Sequence, residues 1–274
     1  MKTILVPTDY SESAGNALEY AVELAKTSGA GLILFHAYHM PLPSGEVPLM
    51  LISPHEITAE NLKRIKDIEK AVVKSTSGKV KVESIVRSGF AADEIVDYAK
   101  EKEVDLIVMG STGDNSVADR IMGSVATHVI QNAESPVLTI PKNIRYTGVK
   151  KIALACDYSG EPSDAALNIV MRYASLFSAR LLVVDIVKPG EAPAPETIAI
   201  GLKLESVLAA APNNFHFKKG DDVITELDAF IEENQCNWLV MIPHRYNFLS
   251  GLFHKSITKQ FVLQARIPIL TIHE

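Results

Sequence analysis

Val104-Asp105-Leu106-Ile107-Val108-Met109-Gly110-Ser111-Thr112-Gly113, then nine residues, then Gly123-Ser124 ahead of Val125, Val129 and Ala133, is the stretch that decides the fold. The apolar run 104–109 reads as a strand buried on both faces of a parallel sheet. The spacing of Val125, Val129 and Ala133 reads as a helix. A glycine-bearing loop therefore leaves the C-terminal end of a strand and delivers Gly-Ser to a helix N-terminus. The first N–H groups of a helix point outward and the dipole there favours negative charge, so this is an anion-binding arrangement. Glycine lets backbone approach a phosphate closely and adopt positive φ. The Ser124 hydroxyl adds a donor.

The chain repeats itself. Lys2–Ser11 (KTILVPTDYS) answers to Lys150–Ser159 (KIALACDYSG runs from Lys151), and Pro136-Val137-Leu138-Thr139-Ile140 answers to Pro268-Ile269-Leu270-Thr271-Ile272. In the first copy, strands are expected near 2–7, 31–37, 80–86, 105–109 and 136–140. Helices are expected near 12–27, 55–76, 91–102 and 124–133, with Ser11 as the first N-cap and Ala14, Leu18, Val22 and Leu24 as the apolar face of the first helix. Strands alternating with helices imply a parallel sheet covered on both faces. The reading is an α/β chain of two tandem Rossmann-like domains, 1–142 and 149–274. Each is a five-stranded parallel sheet with helices on both faces. Ligands of such sheets bind beyond the C-terminal strand ends, where strand order reverses.

The Gly-x2-Gly-x9-Gly-Ser pattern, together with Pro7-Thr8-Asp9 after the first strand, resembles the nucleotide-binding branch of the universal stress protein family, present here as two copies. The resemblance implies a site for ATP or AMP in the first copy. Asp9 would accept from ribose hydroxyls or else cap the first helix, and the two roles are compatible. Pro7 and Thr8 would hold the turn on the adenine side, with Ala37 and Met109 flanking the base. Gly110, Gly113, Gly123, Ser124, Val125 and Ala126 would cradle phosphate. Arg120 would neutralise charge or simply be solvated. Relatives often carry a hydroxyl residue where Ala126 stands, which removes one hydrogen bond. Mg²⁺ would accompany ATP.

The second copy departs from the pattern. Ile242, Arg245 and Lys255 stand where the first has Gly110, Gly113 and Gly123; Asp157 and Ser256 retain the residue types of Asp9 and Ser124. β-branched and long side chains do not readily take glycine-only backbone angles, so this copy is expected not to bind a nucleotide in the same way. Its apolar loop 246–253 would fill the vacant pocket or dock on another surface. The alternative is that His244, Arg245, His254 and Lys255 make a different anion site.

With 274 residues, 47% hydrophobic and 22% charged, the chain is an ordinary globular protein with ample core. A net charge of −6 argues against a general nucleic-acid or acidic-membrane surface. Two cysteines, Cys156 and Cys236, read as small core residues in a reducing cytoplasm. The start, Met1–Pro7, is too short an apolar run for a signal peptide, and no run approaches the roughly 18 apolar residues of a membrane span. There is no phosphate loop with Mg²⁺-binding Ser/Thr, no Gly-x-Gly-x-x-Gly, no Gly-x-Ser-x-Gly elbow, and no His-x-x-x-His or Cys-x-x-Cys among the eight scattered histidines and two cysteines. The expected function is a non-enzymatic, nucleotide-binding stress-response regulator with a protein partner the sequence does not name. The alternatives are a ligand-independent scaffold and a slow ATP hydrolase. By resemblance, the last strands of the two copies pair as an intrachain pseudo-dimer, or whole chains form a homodimer. The Pro-rich segment 40–54 is a candidate lid or interface.

Overall fold

The computed structural model describes residues 1–39, 54–111, 123–156, 162–187, 195–209, 211–243 and 266–273. Gly113, Arg120, Asp157, His244, Arg245, His254, Lys255, Ser256, the loop 246–253 and the segment 40–53, for which the sequence raises expectations, lie outside them. The described elements run β1 (Thr3–Pro7), α1 (Glu12–Ser28), β2 (Gly31–Tyr38), α2 (Pro54–Ser75), β3 (Val82–Ser88), α3 (Ala91–Glu101), β4 (Leu106–Gly110), α4 (Ser124–Asn132) and β5 (Val137–Ile140). They continue with β6 (Lys151–Ala155), α5 (Asp164–Phe177), β7 (Arg180–Val187), α6 (Pro195–Leu208), β8 (Asn213–Lys219), α7 (Val223–Asn234), β9 (Trp238–Met241) and β10 (Ile269–Thr271). Two compact units result, Met1–Ser135 and Pro136–Glu274. No helix among the described residues is long and apolar enough to cross a membrane.

In the first unit the strand order is β3-β2-β1-β4, all parallel. The chain moves one way across the sheet through β2 and β3 and then returns past β1 to β4. Right-handed crossovers therefore put α1 and α2 on one face and α3 and α4 on the other. Side chains agree. Phe35 meets Tyr98 of α3 with ring centroids 5.0 Å apart, whereas the neighbouring His36 meets Tyr10 on the opposite face at 4.4 Å. Ser11 caps α1 by accepting from the Ala14 N–H at 3.2 Å, and Gly29 closes the helix at φ 74. The buried face of α1 is broader than the apolar pattern alone: Ser13, Asn16 and Tyr20 are buried with the alanines, and Leu18 is half-buried. Pro54 opens α2 as the first helical residue, a position that needs no N–H.

The second unit has the order β8-β7-β6-β9-β10, again all parallel. β5 joins it antiparallel to β10, with Val137, Leu138 and Thr139 opposite Thr271, Leu270 and Ile269. The last strands of the two sequence copies thus pair with each other. All four residues of β5 are buried, which covers the apolar edge of β10.

The same small devices recur in both units. Asp105 accepts from the Lys2 and Thr3 N–H groups, and Asn237 accepts from those of Lys150 and Lys151. Arg87 is paired with Glu94 and Glu101, and Lys218 with Glu226 and Glu233. Gly89 and Gly220 end β3 and β8, each backed so closely by the following glutamate that a Cβ would lie 2.7 Å from a Glu94 or Glu226 side-chain carbon.

One difference is local. Three residues, Thr8–Tyr10, link β1 to its cap Ser11. Seven, Cys156–Pro162, link β6 to the α5 cap Ser163. The repeat pairs Ser159 with Ser11; the cap stands four residues later.

Cys156 and Cys236 are both buried. Burial pushes the Cys236 thiol up to about 11, against a smaller opposing pull from Lys151. It is therefore fully protonated near neutral pH and shielded from reagents. In the folded protein Cys236 should alkylate with iodoacetamide at least about a hundredfold slower than in denaturant. Equal rates measured by mass spectrometry would contradict this.

Candidate functional site

The C-terminal ends of β2, β1 and β4 lie side by side, and the candidate residues gather there. Beyond β1 the chain is pinned at each step. The Thr8 N–H donates to Phe35 O at 2.8 Å, the Tyr10 N–H to Thr8 Oγ1 at 3.0 Å and the Ser11 N–H to Asp9 Oδ1 at 3.0 Å. Asp9 is exposed and closes an Asx turn, while Ser11 does the capping. The turn carries a positive-φ residue that is not glycine, Tyr10 at φ 66. A bulky side chain there is strained, and the strain is held by packing. The His36 ring packs against the Tyr10 ring at a 40° tilt and donates its Nδ1–H to Thr8 O at 2.8 Å, and the Arg64 guanidinium of α2 sits 3.9 Å over the Tyr10 ring. Burial raises the Tyr10 hydroxyl's pKa, partly offset by Arg64. None of this cluster was legible from spacing, because its members come from three separate elements.

At the end of β4, Met109 is buried and Gly110 is half-buried. Gly110 does not use positive φ. A Cβ there would lie 3.0 Å from the backbone oxygen of Ser13 on α1 and closer still to its Oγ. The glycine is thus required by helix packing behind the strand. Ser111 follows, buried, and its carbonyl accepts the Gly123 N–H at 3.1 Å. That bond ties the start of α4 to the end of β4.

Gly123 is the N-cap of α4 at φ −58, ψ 144, and has no side chain to cap with. Its carbonyl accepts from both the N–H and the hydroxyl of Thr127, at 2.9 and 3.0 Å. Ser124 is exposed, Val125 half-buried and Ala126 buried with Val129 and Ile130. Val129 and Ala133 of the expected face are buried, and Ala126 and Ile130 complete the core-facing stripe. Ala126 presents only its backbone N–H toward the helix end. On β2, Ala37 is half-buried, in register with Arg87 of β3.

The capping pattern separates this region from the rest of the chain. Of the five helices with described caps, α1, α5 and α7 have side-chain caps from Ser11, Ser163 and Asp222. The other two, α3 and α4, have Phe90 and Gly123 at the cap and no side-chain hydrogen bond. Both lie in the first unit, on the same face of the sheet.

The family model described as "Universal stress protein family" matches residues 1–141. The chain belongs to the universal stress protein family. A universal stress protein of Methanocaldococcus jannaschii is 34% identical over 143 residues, covering 52% of this chain and 82% of the relative. One of Bacillus subtilis is 35% identical over 143 residues, covering 50% of this chain and 97% of the relative. Among solved structures, a universal stress protein from Archaeoglobus fulgidus matches with a TM-score of 0.77 over 99% of this chain and 98% of its own, at 18% identity, which speaks for the fold across both units.

Within this universal stress protein the register fixes what the second unit has at equivalent positions. Ile4 pairs Leu106 as Ile152 pairs Trp238, so Ile242 occupies the place of Gly110. Ile242 is buried, 5% exposed. By the same register, Asp185 takes the place of His36, and the Cys156 N–H bonds Val184 O at 3.0 Å as Thr8 does Phe35.

Proposed function

We propose that this universal stress protein is a stress-response regulator that binds an adenine nucleotide, ATP or AMP, through its first unit. The observation that carries the reading is the α4 N-terminus: it begins at Gly123, which has no side chain to cap it, is hydrogen-bonded through Gly123 to the end of β4, and opens on an exposed Ser124. The N–H groups of Ser124, Val125 and Ala126 and the Ser124 hydroxyl would hold phosphate. Gly113 would join this cradle, and Arg120 would neutralise phosphate charge. The exposed Asp9 carboxylate would accept from ribose, presented by its Asx turn. Pro7, Thr8, Ala37 and Met109 would border the base. Mg²⁺ would enter with ATP, bound chiefly by the phosphates.

Residues 149–274 form a second universal stress protein-like domain in this reading, silent toward nucleotide. Its support is Ile242, whose buried side chain stands where the first unit leaves a glycine, and the greater number of residues between β6 and α5 than between β1 and α1. In this reading hydrolysis is slow, because the sequence carries no Gly-x-x-x-x-Gly-Lys-Ser/Thr phosphate loop of the kind that serves fast phosphoryl transfer.

Calorimetry with ATP and AMP, with and without Mg²⁺, tests this. One site per chain is expected, lost in a Gly123→Val, Ser124→Ala double variant. Two sites would overturn the silent second domain. No binding at millimolar ATP would overturn the nucleotide reading in favour of a scaffold.

A further inference from the structure

Resting on the nucleotide reading, we propose that His39 and Phe90 form a stacking wall for the nucleotide base. Phe90 occupies the N-cap of α3 at φ −76, ψ 122, makes no side-chain cap bond and is 67% exposed. An aromatic side chain neither caps a helix well nor gains from standing in water. The corresponding cap in the second unit follows the usual rule: Asp222 accepts from the Ile224 N–H at 3.0 Å and the Thr225 hydroxyl at 2.9 Å. Among the described caps, the local rule is thus broken by an exposed aromatic residue in the unit that carries the candidate cradle, as at functional positions.

The Phe90 ring has an aromatic partner. His39, one residue beyond β2, stacks on it at 4.8 Å between centroids and 20° between planes. The Gly89 N–H, donating to Tyr38 O at 3.0 Å, holds the two chain segments together. Strand alternation puts Phe35, Ala37 and His39 on the face covered by α3, and α4 lies on that same face. The pair therefore stands at the same sheet edge and face as Ala37 and the α4 N-terminus. One face of the Phe90 ring is covered by His39, and a planar purine extends the stack. Stacking is sequence-tolerant and recognises a base rather than a phosphate.

Phe90→Ser tests this because serine is a good neutral cap, so stability is expected to hold or rise. Affinities for ATP and for inorganic tripolyphosphate are measured on the full chain by calorimetry. Phe90→Ser should weaken ATP binding by about tenfold, leave tripolyphosphate unchanged, and be rescued by Phe90→Trp. ATP binding in Phe90→Ser equal to wild type overturns the wall while leaving the nucleotide site standing. Parallel losses for ATP and tripolyphosphate overturn it too, as a general disturbance of the cradle. Wild-type protein that binds neither probe overturns the nucleotide reading, and the wall with it.

Discussion

Gly110→Val is expected to destabilise the first unit by about 3 kcal/mol and to abolish nucleotide binding together with it. The cause is behind the strand rather than in front of it. A Cβ at 110 meets the backbone of Ser13 as well as its side chain, and helix backbone cannot rotate out of the way as a flexible side chain can. The α1 helix must move off β4, whose residues Leu106 and Ile107 are completely buried. The disturbance reaches the cradle through one residue, since Ser111 follows Gly110 and accepts the Gly123 N–H. With a urea slope of about 1–3 kcal/mol per molar, the unfolding midpoint followed by circular dichroism should fall by about 1 M or more. Trp238, the single tryptophan, lies in the second unit and gives an internal check that this unit is still folded. An unchanged midpoint would show that α1 yields easily and that Gly110 serves another purpose.

Trp238→Ala should cost about 3–5 kcal/mol in the second unit. The side chain is wholly buried at the start of β9, between Tyr173 and Phe177 of α5, with centroids 5.9 and 5.3 Å away and both rings edge-on. Truncation leaves a cavity between sheet and helix that rigid neighbours fill poorly, and it removes two aromatic pairs. The first unit has Leu106 at this register position. Trp238→Leu should therefore lose distinctly less than Trp238→Ala, because a branched aliphatic side chain fills more of the space. Denaturation followed by circular dichroism compares the two. Equal losses would mean that the aromatic pairs, rather than volume, carry the stability.

The order of elements was legible because it rests on local signals. Apolar runs gave β1 to β5 to within about two residues, the Ser11 cap started α1, and the internal repeat announced a second α/β unit. The candidate site was legible as a motif: glycines and a serine at a spacing that puts a helix N-terminus beyond a strand. Where sequence reading fell short, the residues concerned owe their roles to partners far along the chain. Gly110 is glycine because of Ser13 on another element. Tyr10 tolerates φ 66 because His36 and Arg64 clamp its ring. Ser163, not the residue paired with Ser11 by the repeat, caps α5, since extra residues between a strand and its helix are invisible to a residue-by-residue match.

The sequence by itself determined the α/β class, the succession of strands and helices, the repeat and the family, because periodicity, caps and motif spacing act over a few residues. Only the tertiary structure decided that β5 runs antiparallel to β10, that Phe90 and His39 meet at the edge near the cradle, and that α3 and α4 share an uncapped face. Those are matters of which surfaces pack together, and packing joins residues that chain order keeps apart.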